Sequence, residues 1–174
     1  MVKTNNNMIK RILYSALIAV SLSACQAIPT GQPQAPVFDE YINGGDILPI
    51  EKVTTIDGEV LDLHQLGKRK LVVLFATWCT DSNSLMLALN ESSVLKDKNI
   101  DVVAISREED VETISAWRDK RGITIKLATD VDRSIYKRFA SGGIPRVITV
   151  GENNKIIKMN LAEGEQQLEK IVWQ

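Results

Sequence analysis

Cysteine and histidine are nearly absent from this chain. Its 174 residues include only Cys25, Cys79 and His64 of those types. That scarcity excludes metal centres built from clustered cysteine and histidine, and no other metal site or cofactor motif is read from the sequence. An excess of either charge is also missing: 21 basic residues face 22 acidic ones, for a net charge of −1. A chain so balanced has no electrostatic footprint for nucleic acid. The only basic run, Lys68-Arg69-Lys70, precedes an apolar stretch and is expected in a solvated turn. There is no internal repeat and no coiled-coil pattern. No apolar run is long enough to span a bilayer. The longest, Ile12 to Ala24, covers 13 residues. As a helix it would reach about 20 Å, short of a ~30 Å hydrocarbon core.

What is present begins with that run. Lys3, Lys10 and Arg11 precede it, and Leu22-Ser23-Ala24-Cys25 ends it. A basic start, a short apolar segment and small residues at the end describe a secretory signal. The four-residue ending resembles the bacterial lipobox, in which cleavage falls before the cysteine and the cysteine is lipidated. The resemblance implies a leader over residues 1–24 and acyl chains, palmitate-like, on Cys25. Several acyl chains hold a protein stably at a membrane where one does not. Gln26 after the cysteine favours the outer membrane in a Gram-negative host, with the folded domain facing the periplasm. Removing the leader makes the mature chain more negative by three charges, and leaves Cys79 as its sole thiol.

Three of the five prolines, Pro29, Pro33 and Pro36, fall between Gln26 and Glu40. That stretch has no apolar period, so residues 25–45 are expected to form a flexible tether and residues 46–174 a single domain. Within the domain, Val53 to Leu63 alternates about the turn dipeptide Asp57-Gly58 and predicts a hairpin. Leu71 to Ala76 is a continuous apolar run, as in a strand buried on both faces, and Ile100 to Ile105 is expected to be another apolar strand. A third strand is expected over Ile123 to Ala128. Leu85, Met86 and Leu89 predict a helix over residues 82–96. Ser106 and Glu109 have the spacing of a capping box before the helix of Val111, Ile114 and Trp117, which Gly122 ends. Asp130 is placed to cap a short helix carrying Val131, Ile135 and Phe139, broken at Gly142-Gly143. Pro145 to Val150 and Lys155 to Met159 read as a strand pair. Leu168, Ile171 and Val172 predict a closing helix. Strands alternating with helices, ending in a hairpin, predict a three-layer α/β domain with a mixed sheet.

At Phe75-Ala76-Thr77-Trp78-Cys79 the sequence resembles the thioredoxin-fold proteins. It is most similar to the membrane-tethered bacterial thiol-disulfide oxidoreductases of the TlpA and ResA kind. The hairpin from Asp57 to Leu63, Gly67-Lys68, and Gly143-Ile144-Pro145 also match, so the resemblance covers roughly residues 50 to 174. It implies a thioredoxin-like fold, a nucleophilic Cys79, a shielding Trp78, and a cis-proline loop where Ile144 and Pro145 meet an extended substrate. The departures are as informative. Ser82 stands where the family has its second cysteine. Leu85 stands where it has an acidic residue, and Leu87 where it has a proline.

Only a thiolate is a nucleophile, and a helix N-terminus favours negative charge. Cys79 is expected at such an end, with the Ser82 hydroxyl donating to its sulfur. Without a second thiol, a mixed disulfide formed by Cys79 must wait for an outside thiol. The expected partners are therefore disulfide-bearing or thiol-bearing envelope proteins, or a small thiol, acting on a monomer. The other reading is a domain that kept the fold and lost the chemistry. Cys79 is then an inert buried cysteine, and the surface holds peptides or envelope proteins without covalent work. A peroxiredoxin-type site is excluded by the lack of Pro-x-x-x-Thr-x-x-Cys before Cys79. A hydrolase is disfavoured because His64 lies in a polar turn with no nucleophile elbow.

Overall fold

The computed structural model describes residues 36–174. The leader, Cys25 and the tether up to residue 35 lie outside the described residues. A five-stranded sheet runs through the middle in the order β5-β4-β3-β6-β7. Its strands are β3 (Arg69–Phe75), β4 (Ile100–Arg107), β5 (Lys126–Asp130), β6 (Arg146–Val150) and β7 (Ile156–Leu161). β4 and β5 run parallel to β3, whereas β6 and β7 complete the sheet in antiparallel pairs. The sheet is therefore mixed, as the final strand pair predicts.

β3 is central and is flanked on both edges. Alternate residues serve two cores, which is why the strand reads as an unbroken apolar run. Val72 and Leu74 join Val103, Ile105 and Ile148 on one face. Leu71, Val73 and Phe75 join Val102, Ala104 and Val147 on the other. The second face is covered by α1 (Thr80–Glu91) and α3 (Val111–Arg121), through Leu85, Met86, Leu89 and Ile114. Each such side chain contributes about 2 kcal/mol when fully buried. The first face is covered by Leu48, Ile50, Tyr136, Phe139 and the hairpin of β1 (Lys52–Thr54) and β2 (Val60–Asp62). A bridge from Thr55 to Ala128 ties that hairpin to β5.

Several local expectations are corrected. The helix expected over 82–96 starts at Thr80 and stops at Glu91, and α2 (Ser93–Lys96) is a separate turn. Ser92 breaks it: its backbone is extended and its hydroxyl donates to the Leu89 carbonyl at 2.8 Å. The cap of α3 is Asp110, whose carboxylate accepts from the Thr113 amide at 2.8 Å, while Ser106 still belongs to β4. The third strand begins at Lys126; Ile123 and Ile125 are buried ahead of it without pairing in the sheet. After Asp130 there is only a 3-10 turn at Tyr136–Arg138, because the Asp130 carboxylate takes the Ile135 and Tyr136 amides. The closing helix is another 3-10 turn, Gln167–Lys170, after which the chain runs extended.

Two further corrections concern polar segments. Lys70 is not in a solvated turn: it is the second residue of β3 and has no exposed surface. Its ammonium is held by the Gln65 carbonyl and the Asn154 side-chain oxygen. The last part of the expected tether is also fixed. Tyr41 donates to Phe139 O at 2.8 Å, Ser141 donates to Asp39 O at 2.9 Å, and Glu40 pairs with the buried Arg146 at 2.6 Å. Phe38 lies against Gly142 and Gly143, so closely that a Cβ on Gly142 would stand 2.5 Å from its ring. Backbone pairing and a buried cation outweigh the lack of apolar period here.

Candidate active site

The end of β3 delivers the chain through Thr77 and Trp78 to Cys79, the N-cap of α1. The cap geometry follows from the backbone. Cys79 is extended (φ −91°, ψ 123°), and its sulfur receives the Ser82 backbone N–H at 3.5 Å. The sulfur thereby caps one of the backbone N–H groups that the first turn of a helix leaves without an intrahelical partner. The Ser82 side chain does something other than expected. Ser82 is fully buried, and its Oγ accepts from the Ala76 amide at 3.4 Å. The donor to sulfur is thus the Ser82 main chain, because the side chain of this helical position is turned back under the end of β3.

Opposite the sulfur lies the loop from Gly142 to Pro145. The Ile144–Pro145 peptide bond is cis. Ile144 O stands 3.6 Å from Cys79 Sγ and accepts the thiol S–H. Cys79 is half-buried, whereas Trp78 beside it is 61% exposed. Cys79, Trp78, Ser82, Ile144 and Pro145 therefore converge at one end of the sheet, beyond the C-terminal end of β3. Cys25 lies outside the described residues. Leu85 is completely buried and packs in the core against the sheet, so it puts no carboxylate beside Cys79.

Four residues that sequence reasoning missed or misread hold this end of the sheet in place. Asn83 donates to Thr77 O at 2.6 Å and Cys79 O at 2.8 Å, and accepts from Trp117 Nε1 at 2.8 Å. Glu109, read as a helix cap, instead accepts from the Thr77 amide at 2.8 Å and from the Thr77 and Ser106 hydroxyls. The Ser-x-x-Glu spacing carried the signal for Glu109 but pointed to the wrong partner. Tyr136 donates its phenol proton to Gly143 O at 2.5 Å. Arg146, only 1% exposed, donates to Gly142 O at 2.7 Å from Nη2. The sulfur-bearing turn is tied down by Asn83 nearby and by Glu109, 32 residues on, and the proline-bearing loop by Tyr136 and Arg146 on either side of it.

A half-buried cysteine, the Ser82 amide on its sulfur and the carbonyl of a cis-proline loop thus come together at this end of the sheet. No curated protein matches the sequence significantly. Among solved structures, a Bacteroides thetaiotaomicron protein described as a candidate protein disulfide isomerase is 23% identical. The match covers 76% of this chain and 87% of that one, with a TM-score of 0.69. A secreted Mycobacterium tuberculosis disulfide oxidoreductase, homologous to E. coli DsbE, is 18% identical over 68% of this chain and 89% of its own, with a TM-score of 0.59. A Chlorobium tepidum thiol:disulfide interchange protein of the thioredoxin family is 18% identical over 69% and 88%, with a TM-score of 0.58. The fold is thus thioredoxin-like, an α/β domain with a five-stranded mixed sheet and an added hairpin. The Redoxin family model matches residues 29–172, nearly all of the folded domain, and the chain belongs to the Redoxin family.

Proposed function

We propose that this protein exchanges thiols and disulfides through Cys79 alone, at the surface of a bacterial envelope membrane to which Cys25 anchors it. The observation that carries the reading is the placement of Cys79 Sγ. It belongs to a half-buried residue, is capped by the Ser82 amide, and lies 3.6 Å from the carbonyl before a cis proline. A sulfur kept only as core filling has no need of that setting. In the reaction, the Cys79 thiolate attacks one sulfur of a substrate disulfide. A new Cys79 disulfide forms, the substrate bond breaks, and the other sulfur leaves as a thiolate. Ser82 cannot attack the product, so an outside thiol must release it. The lipobox-like Leu22-Ser23-Ala24-Cys25 supports the anchor and the envelope location. The names of the structural relatives support the reaction class.

The test uses the chain with Cys25 replaced by Ser, so that Cys79 is the only thiol. It is mixed with bis(2-hydroxyethyl) disulfide and followed by intact mass. A single adduct on the native protein is expected, stable until free thiol is added and absent in Cys79→Ala. If Cys79 gains no adduct while folded, yet gains one after unfolding in urea, the exchange reading is wrong. What then stands is a redox-inactive binding module.

A further inference from the structure

Arg107 ends β4, one residue beyond Ser106, which lies opposite Phe75 in the sheet. It therefore sits at the same end of the sheet as the Thr77-Trp78-Cys79 turn. Its guanidinium stands over two rings, 5.5 Å from the centre of Trp78 and 5.0 Å from that of Tyr136. Both rings belong to the site: Trp78 adjoins Cys79, and Tyr136 holds the proline-bearing loop through Gly143 O. The Arg107 side chain is 14% exposed, and its Nε, sealed from solvent, is ion-paired but not hydrogen-bonded. The nearest counter-charge, Glu108 Oε2, is 2.9 Å from that Nε, on a carboxylate 46% exposed to water. The terminal nitrogens of Arg107 make no hydrogen bond among the described residues. The other acidic groups nearby are committed: Glu109 to Thr77 and Ser106, and Asp130 to the Ile135 and Tyr136 amides. A second arginine, Arg133, also stands over the Tyr136 ring at 5.1 Å.

A guanidinium is always charged, and the ion pair of its Nε with the half-exposed Glu108 carboxylate leaves its terminal nitrogens without an acceptor. Their fork matches a carboxylate. The rest of the chain does not attract anions, since its net charge is −1 and becomes more negative once the leader is removed. Any preference for an anion must then arise locally. Resting on the exchange reading above, we propose that Arg107 anchors a carboxylate of the substrate. The substrates are thus disulfides that carry a negative charge close to the reacting sulfur, either in a small molecule or on an acidic residue beside a cysteine. During attack by Cys79 the carboxylate stays on Arg107 while the substrate S–S bond breaks and the Cys79 disulfide forms. No other oxidant or reductant is required.

The test compares rates of adduct formation on Cys79 for dianionic 3,3′-dithiodipropionate and neutral bis(2-hydroxyethyl) disulfide. A pair of peptide disulfides with Glu or Gln next to the cysteine extends it to the second source. The native chain should favour the anionic member of at least one pair about tenfold, the size of one charge-assisted hydrogen bond. Whichever pair shows the preference identifies the source. Arg107→Met should abolish the preference, bringing the ratio of anionic to neutral rates down about tenfold. Glu108→Gln, which removes the internal competitor, should raise it. An unchanged anion-to-neutral ratio in both variants, with the neutral disulfide still reacting, overturns the role of Arg107. If the neutral disulfide fails to react with the native chain, the exchange reading itself falls. If Arg107→Met does not fold, Glu108→Gln and added salt carry the test, since salt must shrink a preference set by charge.

Discussion

Replacing Ser82 by cysteine tests whether a second sulfur is all that separates this site from one that completes its own reaction. Residue 82 is three positions after Cys79 and its amide is already 3.5 Å from Sγ, so the two sulfurs of Ser82→Cys would lie on one turn of chain. The reduced variant should lose stability. Ser82 is fully buried, so the larger sulfur costs about 1 kcal/mol in overpacking. Losing the Ala76 N–H bond to Ser82 Oγ costs about 1 kcal/mol more. Closing a four-residue loop by a disulfide returns roughly 2 kcal/mol through chain entropy. Oxidised Ser82→Cys should therefore match the native protein, and the reduced form should melt about 6 °C lower. The kinetic effect is larger. A thiol on the same turn acts at an effective concentration on the order of 10 mM or more, so against ~0.1 mM external thiol it should shorten the life of the Cys79 adduct about 100-fold. Intact mass and acid-quenched alkylation read both quantities. If Ser82→Cys keeps two free thiols under oxidising conditions, and its adduct lasts as long as that of the native chain, the placement of Cys79 and residue 82 described above is wrong.

Glu109→Ala should destabilise the domain by about 2–4 kcal/mol in urea unfolding, since it strips the acceptors from Thr77 and Ser106. Glu109→Gln should cost only about 1 kcal/mol, because its amide oxygen keeps the Thr77 N–H and the hydroxyls can turn; equal losses for the two would refute the anchoring role. Burial pushes the Lys70 ammonium below its ordinary 10.5, against the opposing pull of Asp101 and Asp62. Between the folded-state value and 10.5 the unfolded chain then holds more protons at this site, so the lysine's contribution to unfolding free energy rises with pH. The stability of the native chain measured relative to Lys70→Met should accordingly climb through that window, and a difference that falls with pH would contradict the direction.

The parts of this fold that were legible in the sequence are those set by local pattern. The run Leu71 to Ala76 announces a strand covered on both faces, Gly122 marks the end of α3, and Gly143-Ile144-Pro145 marks the loop facing the sulfur. What was not legible depends on partners far along the chain. Lys70 looks solvent-bound until Asn154, 84 residues later, provides an oxygen for it. Glu109 has the spacing of a cap, yet its carboxylate reaches back 32 residues to Thr77. Leu168 and Ile171 have helical spacing, but they pack against the sheet from a 3-10 turn and an extended end. At the site, the sequence supplied the sulfur and the missing second thiol. It could not supply the stacking of Arg107 on Trp78 and Tyr136, which needs three separate elements to meet.

The placement of Phe38 and Glu40 has a mechanical meaning. The first residues of the folded unit do not hang from a remote corner; they lie on Gly142, Gly143 and Arg146, within a few residues of Pro145. Tension drawn along the chain from upstream would thus reach the wall facing the sulfur before it reached any strand of the sheet. Under the anchoring proposed for Cys25, a pull from upstream and a strand bound beside Pro145 would bear on the same few atoms.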